Sequence, residues 1–156
     1  MKTIRMILTM LLFNDLSYGQ KAMIFNETKQ NNIRTSYLDS IYASGIHADT
    51  SLAVFKNNQG EYIVAYQRLL KDLGKYLKAN NFVWDKATKG FKRIYFDKSG
   101  KIDYFLYSFR PDQLTIEQEK RFGELLSKYI EDHSFSLTAP VKFAQCSPVT
   151  YMPADK

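Results

Sequence analysis

The chain has 156 residues, with 22 Lys and Arg against 16 Asp and Glu for a formal net charge of +6. Hydrophobic residues make up 45% and aromatics 15%, enough for a packed core, so wholesale disorder is excluded. With only 7 Gly and 4 Pro, collagen-like and Pro-rich linker architectures are excluded as well, and the length suits one domain.

Residues 1–19 read as a secretory signal peptide. Lys2 and Arg5 make a basic start, Met6 to Phe13 an apolar core, and Ser17 and Gly19 put small residues at −3 and −1 of a cut before Gln20. The apolar run is far short of the about 20 residues that span a bilayer as a helix, so stable membrane insertion is not expected. No Cys follows the cut, so a lipid anchor is not indicated. The expectation is a soluble periplasmic or secreted protein. The single Cys146 allows no internal disulfide. Its apolar neighbours Val141, Phe143, Ala144 and Val149 favour a buried thiol.

Residues 20–57 read as an irregular lead-in. Residues 20–35 are polar, with Met23-Ile24-Phe25 as an apolar island, and Asn26-Glu27-Thr28 is a glycosylation acceptor only in a eukaryotic host. Apolar patches follow at Tyr37-Leu38 with Ile41-Tyr42, and at Leu52-Ala53-Val54-Phe55, the second reading as a short strand.

Residues 58–156 read as one α+β domain. A helix is predicted over residues 59–79 from Ile63, Tyr66, Leu70, Leu73 and Leu77, spaced +3, +4, +3 and +4, with Asn58 as its cap and Asn80-Asn81 as its end. Its Arg68, Lys71, Lys75 and Lys78 suit a solvated face better than a membrane-surface one. A hairpin is predicted from residues 91–96 and 102–109 around Asp97-Lys98-Ser99-Gly100, where Asp opens the turn and Gly takes its left-handed position. Regular pairing of Ile94 with Tyr104 gathers Ile94, Phe96, Ile102, Tyr104 and Leu106 on one face. Phe91, Arg93, Tyr95, Asp103, Phe105 and Tyr107 share the other, with an Arg–Asp pair among aromatics. Thr115 and Gln118 form a capping box for a second helix over residues 116–132, buried through Phe122, Leu125, Leu126, Tyr129 and Ile130. A last strand over residues 141–152 contains Pro148, which confines it to a sheet edge or breaks it. The expected fold is a small antiparallel sheet, hairpin plus C-terminal strand, packed with two helices.

Catalytic chemistry finds little support. His47 and Asp49 supply two ligands where a metal site takes three or four. His133 and Cys146 could form a thiolate–imidazolium pair, the basis of a small secreted cysteine-dependent enzyme, but nothing in their spacing brings them together. Glu117 and Glu119 lie where acids favour a helix start. There is no phosphate loop, serine elbow or HExxH, so no enzyme, metal or cofactor is implied. Lys86, Lys89, Lys92, Arg93, Lys98 and Lys101, interleaved with Phe91, Tyr95 and Phe96, suggest a single-strand nucleic-acid platform, but a solvated hairpin end is the simpler account in an exported chain.

Residues 94–102, Ile-Tyr-Phe-Asp-Lys-Ser-Gly-Lys-Ile, with the helix at 114–130 and the Phe135 to Pro140 exit into the last strand, resemble the C-terminal domain of TonB-type energy transducers of bacterial envelopes. The resemblance runs from Phe91 to Met152. The family's Tyr-Pro entry, membrane anchor and Pro-rich linker are not found, and the helix at 59–79 is longer than the family leads one to expect. The resemblance implies binding of an extended partner peptide by strand addition along the final strand. The expected function is thus an exported, envelope protein-binding module, with Val141, Lys142 and Phe143 at the edge and Tyr95, Phe105 and Tyr107 on the aromatic face as partner-binding residues. A homodimer through that aromatic face is a further reading.

Overall fold

The computed structural model describes residues 19–153. The expected signal peptide, apart from Gly19, lies outside them.

The chain forms an α+β fold with a five-stranded mixed sheet. The hairpin strands are β3 (Thr88–Phe96) and β4 (Ile102–Phe109), and the last strand is β5 (Phe143–Tyr151). These make the expected antiparallel core, with β3 in the middle. Two short parallel strands that the sequence did not reveal extend it. β1 (Lys21–Ile24) adds to the outer side of β4, and β2 (Ala43–Ser44) covers the start of β5, giving the order β1-β4-β3-β5-β2. The lead-in is therefore part of the sheet. It also holds α1 (Thr35–Ile41). The patch expected as a strand at 52–55 instead begins in a short 3₁₀ turn, Thr50–Leu52, whose Ser51 amide is capped by the Asp49 side chain.

The long helices lie side by side on one face of the sheet. The first, α2 (Gln59–Ala79), has its expected bounds. Its end is a Schellman motif: Asn81 takes a left-handed φ of 58°, and the amides of Phe82 and Asn81 bond to the carbonyls of Leu77 and Lys78. Its start differs, because Asn58 gives no side-chain cap and donates to Glu61 instead. The stripe is also rotated. Tyr62, Tyr66, Leu69, Leu73 and Leu77 are buried, whereas Ile63 stays 43% exposed. Helix α3 (Ile116–Asp132) matches its expectation, with both bonds of the Thr115–Gln118 capping box and the predicted buried stripe. Gly123 leaves room there for Tyr107, since a Cβ would stand 2.6 Å from the Tyr107 hydroxyl.

The hairpin turn closes as predicted, with Gly100 at φ 89° and the Asp97 amide bonded to the Lys101 carbonyl. Its register departs from the regular pattern. Phe96 opposes Ile102 but Tyr95 opposes Tyr104, so Asp103 is left over as a bulge. One extra residue flips every later side chain of β4 to the opposite face. Phe105 and Tyr107 consequently point at the helices, where they join Ile94, Phe96, Ile102 and Phe122 in the main core. Tyr104 and Leu106 turn to the other face, where Leu106 packs with Tyr95, Met23, Leu38 of α1 and Tyr42 just after it. The aromatic face of the hairpin is thus divided between two buried clusters.

Candidate functional site

The first candidate is the outer edge of β5. The amides of Ala43 and Gly45 donate to the carbonyls of Lys142 and Ala144, so even-numbered residues there turn their backbone groups away from β3. Alternation along the strand then aims those of Cys146, Pro148 and Thr150 outward. Strand β2 covers only Phe143 and Ala144, which leaves the outer side of residues 145–151 without a neighbouring strand among the described residues. Pro148 has no N–H, and at an outward position it costs no bond to β3, where it opposes Phe91. The Cys146 carbonyl accepts from the Gln145 side chain. What the edge offers a partner is therefore the Cys146 N–H, the Pro148 carbonyl, and both groups of Thr150. Helix α2 overhangs it: the Tyr66 hydroxyl meets Ser147 Oγ at 3.0 Å, and half-exposed Ile63 lies on the flank of the helix away from α3.

The predicted partner-binding residues fall mostly elsewhere. Val141 is exposed but precedes β5, the carbonyl of Lys142 is engaged by β2, and Phe143 is fully buried. Tyr95, Phe105 and Tyr107 are interior. The open edge begins where that set ends, a shift set by β2, whose two residues carry no strand signal.

A second constellation joins α1 to the bulge. Asp103 Oδ2 accepts from the Tyr42 hydroxyl at 2.6 Å and from Lys142 Nζ at 2.9 Å, and Lys142 lies 3.3 Å from the Tyr42 hydroxyl. Burial, then the hydrogen bond to Asp103 and its charge, hold Tyr42 far above its ordinary pKa, so it remains a donor. Beside it, Asp39 accepts from Arg93 and from the Tyr95 hydroxyl, each at 2.9 Å. The expected Arg93–Asp103 pair is thus replaced by two pairs, because the bulge takes Asp103 away from Arg93. The Tyr42 group borders a cavity of about 280 Å³.

The basic hairpin set divides as well. Lys92 is 1% exposed, lies 6.0 Å from the Tyr66 ring centroid and opposes Ser147, and burial pulls its pKa down to about 8. Cys146 is exposed, contrary to expectation, on β5 opposite Arg93. His133 stacks on Tyr129 with ring centroids 4.0 Å apart, and its Nδ1 lies 2.8 Å from the Tyr129 carbonyl. His133 and Cys146 share no hydrogen bond among the described residues. His47 Nδ1 accepts from the Asp49 amide. Among the described residues no three His, Cys, Asp or Glu side chains cluster as a metal site, and no helix is long and apolar enough to cross a membrane.

No protein-family model matches the chain, and neither a curated protein nor a solved structure is significantly similar to it.

Proposed function

We propose that the chain is an exported protein-binding module of a bacterial envelope, which takes an extended partner segment along the outer edge of β5. This reading carries forward the resemblance to TonB-type C-terminal domains, and a single observation supports it best: a nine-residue strand whose outer side is covered at only two positions. An incoming strand would bond to Cys146, Pro148 and Thr150. Each backbone bond is worth about 0.5–1.5 kcal/mol net, so the edge alone gives weak, reversible association. Further affinity must come from partner side chains buried against the flank of α2, where Ile63 offers apolar surface. Pro148 fixes the register, because a partner carbonyl placed against it finds no donor.

The test is photo-crosslinking from exposed position 152, just past the open edge, against a solubilised envelope extract, with position 117 on α3 as control. Capture from 152 alone, mapped to one extended segment of the captured protein, is the expected result. Thr150→Pro removes an outward N–H without touching the β3 ladder and should abolish capture, whereas Thr150→Val should preserve it. Equal capture from both positions, or capture unaffected by Thr150→Pro, refutes edge pairing.

A further inference from the structure

The cavity beside α1 lies away from the β5 edge and is independent of strand pairing. Its polar wall is the Tyr42–Asp103–Lys142 group, its apolar wall is Leu38, Ile41 and the rings of Tyr37 and Tyr104, and Gly19 borders it. At about 280 Å³ it stands at the small end of the range for ligand cavities. The hydrogen-bond inventory shows what it can recognise. Tyr42 is committed, donating to Asp103 and accepting from Lys142. Lys142 has three N–H groups and uses two on Asp103 and Tyr42. Asp103 receives both of its bonds on Oδ2, which leaves Oδ1 able to accept. One donor on Lys142 and one acceptor on Asp103 therefore remain at an ion pair of zero net charge. An anion would be drawn by Lys142 but repelled by Asp103, and a cation would meet the reverse. A neutral group that carries its own adjacent acceptor and donor satisfies both.

We propose that this cavity binds a small neutral amide carrying an aromatic or branched apolar group, with its carbonyl accepting from Lys142, its N–H donating to Asp103, and its apolar part against Ile41 and Tyr37. Half-exposed Tyr37 and Ile41 leave the apolar wall open for entry. Sequence reading missed the site because it draws on α1, on the bulge and on the residue before β5, which meet only through the fold.

The test is titration of the ¹⁵N-labelled full-length protein with benzamide, benzoate and benzylamine, read by amide chemical shifts. Benzamide should give saturable shifts at Tyr37, Leu38, Ile41 and Tyr104, with the two charged analogues at least about tenfold weaker. Removing one charge should switch the preference: Asp103→Asn should favour benzoate, and Lys142→Met should favour benzylamine. Ile41→Trp leaves the polar group intact, fills the cavity, and should abolish binding of all three. Absence of saturable shifts, an unchanged order of preference in the charge variants, or binding that survives Ile41→Trp overturns the proposal.

Discussion

Replacing Lys92 by Met should stabilise the protein, by an amount that depends on pH. The amine is interior, with no hydrogen-bonding or ionic partner among the described residues, and burial lowers its pKa from 10.5 to about 8. A lowered lysine pKa means that the fold prefers the neutral amine, so the cost is full below pH 8 and fades as the pH rises toward 10.5. At about 1.4 kcal/mol per unit, this cost is about 3 kcal/mol at pH 7. The ring of Tyr66, 6.0 Å from Nζ, returns about 0.5–1 kcal/mol through cation–π attraction. Lys92→Met, close in volume and free of charge, should therefore gain about 2 kcal/mol at pH 7, roughly 6 °C in Tm for a chain of this size. Urea unfolding of both proteins at pH 7, 8.5 and 10 checks it. The gap should shrink to less than about 1 kcal/mol at pH 10, where the unfolded lysine is itself losing its proton. A gap that does not change with pH would show that packing, not charge burial, separates the two proteins. No gain at pH 7 would show that Nζ is solvated or paired in solution.

Three further outcomes follow from local geometry. Gly123→Ala gains about 1 kcal/mol of helix propensity but drives a methyl against the Tyr107 hydroxyl, so a net loss of about 1 kcal/mol is expected in thermal unfolding. Adding Tyr107→Phe should restore it. Thr115→Ala removes the capping box of α3 and should cost about 1 kcal/mol by the same measurement, whereas Asn58→Ala, at a helix start without a side-chain cap, should cost less than half of that. Cys146 should react with an aromatic disulfide reagent in the native state at the rate of a model thiol, and Cys146→Ser should leave stability within about 0.5 kcal/mol of the original. Slow reaction released only by urea would place the thiol inside.

The elements that were legible in the sequence are those whose signals are local. The spacing of Phe122 to Ile130 and the Thr115–Gln118 box determine α3 within their own turns, and Gly100 marks a tight turn between two alternating runs. What was not legible depends on partners distant in sequence. Strands β1 and β2 are too short to carry a pattern, and each exists because another strand accepts it. The bulge at Asp103 is a choice between two registers, decided by which aromatics the helices can receive. That one residue exchanged the faces of Tyr104 and Phe105, put Phe105 and Tyr107 under the helices, and assembled the Tyr42 group. Alternation alone could not show Lys92 as interior or Cys146 as exposed, because both depend on which face α2 and α3 cover. At β5, Pro148 was the informative residue: it left a choice between an edge and a break, and the strand runs unbroken through it with its outer side uncovered there.

Strand β1 has a consequence for the order in which the molecule forms. Its partner β4 lies far along the chain, and the loop between them contains α1, α2 and β3. A parallel pairing over such a distance closes late, because the entropy of the intervening chain is lost before any ladder bond forms. The first residues of the sheet are thus among the last to settle, and β4 waits with an uncovered side while hairpin and helices consolidate. A chain made or threaded from its N-terminus would keep that leading segment slack until nearly all of the rest had emerged. Pulsed hydrogen exchange during refolding should accordingly find the amides of Lys21–Ile24 protected after those of the β3–β4 hairpin.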